Sequence, residues 1–186
     1  LETYVERDLR QLSAIKDLNQ FQLFMKLCAG RIGQLVNLES LGNDAGISGT
    51  TAKQWLTLLE ASYIVFRLKP YFRNIGKRLI KTPKLYFHDV GLASHLLGIT
   101  SSSQIETHYL KGNLFENLII SETKKFLFNR ALRNEMFFFR DRTGNEVDLL
   151  IQAGDAFLPI EIKSSSTFQS DFVKGFQSLN KVKRIG

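Results

Sequence analysis

The chain has 186 residues, 44% of them apolar, with 25 basic against 18 acidic side chains and a net charge of +7. That length holds one ordinary domain or two small ones, and no run approaches the ~18–20 apolar residues of a membrane span. The lone cysteine, Cys28, excludes an intrachain disulfide and fits a reducing cytoplasm, while the absence of a Walker-type glycine loop excludes nucleotide hydrolysis by this stretch alone.

The excess charge is local. Seven basic residues (Arg67, Lys69, Arg73, Lys77, Arg78, Lys81 and Lys84) fall in one acid-free run, and removing them from 25 leaves 18, which balances the 18 acids elsewhere. One-signed charge in an otherwise neutral chain suggests a surface that faces a polyanion, duplex DNA above all. The chain begins at Leu1 with nothing resembling a signal peptide, so it reads as a piece of a longer protein.

In chain order, Glu2 to Ser13 reads as a charged helix. Asn19 to about Leu35 reads as a second, with Phe21, Phe24, Met25, Cys28, Ile32 and Leu35 at helical spacing. Asn37 to Ala45 is a short helix, Gly46-Ile47 a turn, and Ser48 the cap of a helix reaching Ala61. This is the shape of a helix-turn-helix. Its second helix buries Ala52, Trp55, Leu56 and Leu59, and turns Thr50, Lys53, Gln54 and Thr57 outward, where they can touch DNA backbone or bases. Tyr63 to Tyr71 and Lys84 to Phe87 are strand-like and flank the basic run, so helices followed by a β-ribbon predict a winged helix. Its nucleic-acid contacts would be Thr50, Lys53, Gln54, Arg67, Lys69, Arg73, Lys77 and Arg78. Winged helices also serve as protein-docking modules, and that reading stays open.

Asp89 caps a helix from Val90 to Leu97, which makes the His88-Asp89 pair a cap and a neighbour and not a catalytic dyad. Ile99 to Thr107, with three consecutive serines, reads as a linker. A helix from Leu110 to Phe128 follows, with Leu114, Phe115, Leu118, Ile119 and Phe126 as its main apolar face and Glu116, Ile120 and Leu127 on a second side. Met136 to Phe139 is a buried strand, Asp141 to Gly144 a turn, and Asp171 to Leu179 a last helix before a basic tail.

Between them lie two alternating strands. Val147, Leu149 and Ile151 alternate with Glu146, Asp148 and Leu150; Leu158, Ile160 and Ile162 alternate with Pro159, Glu161 and Lys163. A hairpin pairing Ile151 with Leu158 sets Asp148 opposite Glu161, and like charges roughly 5 Å apart between Cβ atoms repel. A divalent cation such as Mg²⁺ or Mn²⁺ would relieve that repulsion, with Lys163 on the same face to serve a water or a phosphate. The competing reading is a solvated strand face of weak ion pairs.

An acidic residue on one strand and Glu161-Ile162-Lys163 on the next resembles the PD-(D/E)xK nuclease core. The resemblance implies metal binding by Asp148 and Glu161, water activation by Lys163, and a further ligand from a preceding helix, which Glu116 fits. Tyr86-Phe87-His88-Asp89-Val90-Gly91-Leu92, Gly112 to Leu118, Phe139-Arg140-Asp141 and Gly144 to Asp148 extend it over essentially the whole chain. In full, the pattern resembles the domain that follows the ATPase module in a family of prokaryotic AAA+-type ATPases. The fold so implied is α+β (or α/β). A winged helix-turn-helix at 1–98 and a linker at 99–111 precede a restriction-endonuclease-like core at 112–186, expected to be minimal or incomplete. The expected function is a DNA-facing, metal-dependent nuclease-like site, with ATP bound only by the preceding module and oligomeric assembly left open. The alternative is a non-catalytic nucleic-acid- or protein-binding module.

Overall fold

The computed structural model describes residues 17–71, 80–132, 134–165, 167 and 170–184. The expected helix at Glu2–Ser13 and the basic residues Arg73, Lys77 and Arg78 lie outside them.

Three capped helices come first. Asp17, Asn37 and Ser48 each accept a backbone N–H of the first turn of α1 (Leu18–Ala29), α2 (Leu38–Ala45) and α3 (Gly49–Ala61). Gly46 takes a left-handed φ of 69° that carries the chain from α2 into α3, a conformation only glycine adopts without penalty. Trp55 is buried, with Phe21 and Phe24 edge-on to it at 5.2 and 5.6 Å. The first helix stops well short of Leu35. Gly30 closes it, and the following loop turns back at Gly33 to pair with the strand that holds Leu85: Gly33 N donates to Leu85 O and Leu85 N donates to Gln34 O.

Strands β1 (Val65–Pro70) and β2 (Lys84–Phe87) pair antiparallel, as a wing would, but they do not stand alone. β1 also pairs in parallel with β3 (Glu135–Arg140), which continues antiparallel into β4 (Glu146–Ala153) and β5 (Ala156–Ile160). The result is one five-stranded sheet in the order β2-β1-β3-β4-β5. Helix α4 (Val90–Leu96) starts at the Asp89 cap, and the expected linker contains a further helix, α5 (Ser102–Thr107). A mixed α+β fold is therefore observed, with the sheet running across both halves of the chain.

Helix α6 (Lys111–Asn129) lies along that sheet with a different side inward from the one its apolar residues suggest. Leu114, Asn117, Ile120, Ser121 and Leu127 are buried, whereas Phe115, Leu118 and Phe126 remain 37%, 37% and 49% exposed. Asn117 explains the rotation. Its Oδ1 accepts from Phe87 N at 2.7 Å and its Nδ2 donates to Phe87 O at 3.1 Å. β2 is a sheet edge, so its outward backbone groups need partners. Asn117 serves Phe87, and the Gly33–Gln34 loop serves Leu85.

The sheet is covered on both faces. Phe66, Leu68, Tyr86, Phe138, Leu149 and Ile162 pack with Ile120 of α6. Phe139, Val147 and Leu150 pack under Leu179 of the C-terminal helix α7 (Lys174–Arg184), which a 3₁₀ turn at Ser170–Val173 precedes. Gly175 lets α7 approach, because a Cβ there would run into the Glu146 carbonyl oxygen. The split of Val147 and Leu149 between the two layers departs from simple alternation. The β3–β4 register shifts between Phe137 and Phe139, a bulge in which Phe137 faces Leu150 and Phe139 faces Val147. An added residue re-aims the side chains on one side of it. Glu146 and Asp148 thereby share the α6 side of the sheet with Leu149, when strict alternation would have set them on the other. The β4–β5 register, by contrast, is the expected one, with Ile151 opposite Leu158.

Candidate metal centre

The bulge in β4 and the side of α6 turned to the sheet bring three carboxylates together. Glu116, Glu146 and Asp148 each offer an oxygen within 4.8 Å of the others, at a cleft of about 560 Å³ that Lys84, Arg140 and Lys163 also line. Carboxylate oxygens in this number are the donor set of a hard divalent cation.

Lys84 is the cation at the centre. It belongs to the basic run, yet its side chain is only 4% exposed and its ammonium lies 2.9 Å from Glu116 Oε1 and in contact with Glu146 Oε1. Arg140 holds the other oxygen of Glu146 at 3.1 Å. Tyr86, two residues along β2, donates its hydroxyl to Glu116 Oε1. On the far side, Asp148 Oδ2 accepts from Ile162 N at 2.9 Å and from Lys163 Nζ at 3.1 Å, and Lys163 Nζ also lies 2.7 Å from Glu161. Glu161 Oε2 is buried and finds no hydrogen-bond partner among the described residues.

The electrostatics follow from this crowding. Burial, with the Asp148 charge adding to it, pushes the Glu116 carboxyl above the usual range despite Lys84 and Tyr86. Glu161 is raised for the same reasons, burial first, against the pull of Lys163. Burial works against the charge of Lys84 and of Lys163, but their carboxylate neighbours outweigh it and hold both above the usual lysine value. Two ammonium groups thus stay charged inside a cluster of four acids.

The turn that delivers β4 to the site is tied down separately. Asp141 accepts from Thr143 N, Thr143 Oγ1, Asn145 N and Asn145 Nδ2, and from Ser178 Oγ of α7 at 2.7 Å. Partial burial opposes its charge, but these donors outweigh it and lower its pKa from 3.8 to about 2. A carboxyl depressed in the folded state stabilises above its unfolded pKa and loses that contribution as pH falls through the folded value. Asp141→Asn should therefore melt below the native chain at pH 7, and the gap should close between pH 4 and pH 2. Thermal melts across that range would show it; a gap independent of pH would mean the carboxylate charge is not what holds the turn.

The other expected site residues sit apart from the cleft. Thr50, Lys53 and Gln54 are exposed on α3. Arg67 makes a two-pronged pair with Glu60 at 2.8 and 2.6 Å, so its charge is met within the chain; Lys69 is exposed. Asp89 is a helix cap, and His88 packs 4.8 Å from the Phe66 ring. Lys84, Tyr86 and the pairing role of Glu146 are what sequence reasoning missed. The signal for Glu146 was present, since it precedes Asp148 by two on the same strand.

A family model described as Domain of unknown function (DUF8612) matches residues 1–103, more than half of the chain. The chain belongs to the DUF8612 family. A second model, Domain of unknown function (DUF4143), matches residues 111–186. In this DUF8612 member the cleft straddles the two matches: Lys84 comes from the first, Glu116, Arg140, Glu146, Asp148 and Lys163 from the second. The chain is 30% identical over 167 residues to an uncharacterized protein of Mycobacterium bovis and, equally, to one of Mycobacterium tuberculosis, covering 90% of this chain and 37% of each relative. An uncharacterized protein of Haemophilus influenzae is 24% identical over 167 residues, covering 87% of this chain and 38% of its own. The chain thus spans little more than a third of the length of these relatives. No solved structure matches it. Among the described residues no helix is long and apolar enough to cross a membrane.

Proposed function

We propose that the cleft is a divalent-metal site of the PD-(D/E)xK type, acting on phosphodiesters of nucleic acid as the DNA-facing end of a longer, ATPase-bearing protein. The observation that carries this reading is the convergence of Glu116, Glu146 and Asp148 within 4.8 Å beside Lys163. Glu161 Oε2, buried beside that group without a hydrogen-bond partner among the described residues, supports the fit: an oxygen stripped of water and left unpaired is costly unless something positive meets it. Asp148 and Glu116 would hold Mg²⁺ or Mn²⁺, with Glu161 adding its charge from beside Lys163, because both oxygens of Glu146 already have cations. Bound there, the ion would polarise the phosphate and favour ionisation of a water. Lys163, held between Asp148 and Glu161, would orient that water and offset charge growing on the phosphate. The winged-helix reading of α2, α3 and the β1–β2 ribbon gives the substrate its track. Thr50, Lys53, Gln54 and Lys69 are exposed along it, and Arg73, Lys77 and Arg78 belong to the same basic run.

One observation favours a second reading, a non-catalytic nucleic-acid- or partner-binding module. Each of the four carboxylates already has a lysine or arginine partner, so the cluster is satisfied as an ion network without metal. Cleavage assays on linear, nicked and single-stranded DNA and on RNA, with Mn²⁺ or with chelator, separate the two. Metal-dependent cleavage should fall about 10²-fold in Lys163→Ala, the lower range for losing a positioned proton-handling group. No cleavage of any substrate by the native chain would leave the binding module.

A further inference from the structure

Lys84 is a buried lysine that neither the resemblance nor the proposed chemistry uses. Its ammonium lies where a cation shared by Glu116 and Glu146 would lie, and Arg140 completes the coordination of Glu146 from the other side. Tyr86 fixes Glu116 Oε1 from the same strand. Among the described residues, the oxygens these contacts leave over are Glu116 Oε2 and Asp148 Oδ1 in the cleft and, outside its lining, Glu161 Oε2. Charge gives the same answer. Four carboxylates against Lys84, Arg140 and Lys163 leave one net negative charge, so one divalent ion brings the cluster to +1 and two would bring it to +3. Two-metal phosphodiesterase sites hold their ions ~3.5–4 Å apart by sharing carboxylates between them, and here two of the carboxylates are shared with an ammonium.

We infer that Lys84 is a resident cation standing in for a second metal, so that the cleft takes a single divalent ion, with Glu146 a partner of Lys84 and not a ligand. The inference rests on the metal-site reading above and adds its stoichiometry and the residue that sets it. It also makes the first family match part of the site, since the residue that limits occupancy comes from β2.

Calorimetric titration with Mn²⁺, together with electron paramagnetic resonance of the saturated protein, tests it without reference to activity. The native chain should bind one Mn²⁺ with the spectrum of an isolated ion. Lys84→Met, matched in length but uncharged, should bind two, with the broadened spectrum of a coupled pair. Lys84→Arg should return to one. Glu146→Gln guards against a Lys84→Met chain that does not fold: it should keep single-ion binding within about threefold of native affinity. Two coupled ions in the native chain, one ion only in folded Lys84→Met, or a tenfold loss of affinity in Glu146→Gln would each overturn the role of Lys84 while leaving the metal site standing. No ion in native and Lys84→Met protein alike would remove the metal site and this inference together.

Discussion

Asn117→Leu should lower the melting temperature by about 6–20 °C. The side chain is fully buried, and its amide answers both the N–H and the C=O of Phe87 on the outer edge of β2. Leucine keeps the same branched skeleton, is somewhat larger, and removes both partners at once. Each buried backbone group left unpaired costs ~1–3 kcal/mol, and a loss of about 3–5 kcal/mol in a domain of this size moves the midpoint by ~2–4 °C per kcal/mol. Hydrogen exchange should report where the loss falls, with Phe87 N–H protection dropping first. A variant that melts within 2 °C of the native chain would mean that water or a shifted loop serves the edge equally well.

Asp148→Asn should remove the response to metal while leaving the apo fold nearly intact. Asparagine still offers a carbonyl oxygen to Ile162 N, so the link between β4 and the Glu161–Lys163 segment survives. What disappears is the negative charge beside Lys163 and, on the proposed reading, an ion ligand. Mn²⁺ at 100 times its dissociation constant should stabilise the native chain by ~2.7 kcal/mol, or about 5–10 °C. Losing even an outer-shell partner weakens metal sites ~10–100-fold, and a ligand should count for no less. A 100-fold loss leaves ~0.4 kcal/mol, so the Mn²⁺ shift should then fall to about 1–2 °C or less in Asp148→Asn, and metal-dependent cleavage should vanish with it. An equal Mn²⁺ shift in both proteins would place the ion elsewhere.

The parts of this fold that could be read in the sequence are those whose causes are local. Asn37, Ser48 and Asp89 announce their helices because a cap acts within three residues. The β4–β5 register followed from alternation across a short loop. The misreadings have distant causes. α6 turns Asn117 and Ser121 inward and leaves Phe115 and Phe126 partly outside, because an edge strand 30 residues earlier needs an amide. Lys84 sits in a run of surface-like charge, and nothing near it in sequence reveals that Glu116 and Glu146 will close around it. The bulge opposite Phe138 is equally silent, though it decides which layer Asp148 joins. So Glu116, Asp148, Glu161 and Lys163 could be chosen by motif, while Lys84, the counter-charge of Glu116 and Glu146, could not.

The parallel contact between β1 and β3 rests on two residue pairs, Lys69 with Phe137 and Pro70 with Phe138, and it is the seam along which the two family matches meet in the sheet. A chain cut in the α5 region would leave each fragment with a bare strand edge at that seam and with an incomplete set of charges: Lys84 without its acids on one, Glu116 and Glu146 without Lys84 on the other. Such halves are complementary in both hydrogen bonding and charge. Expressed as two polypeptides, they should reassociate as a split pair, and recovery of the cleft would report that the halves have found each other.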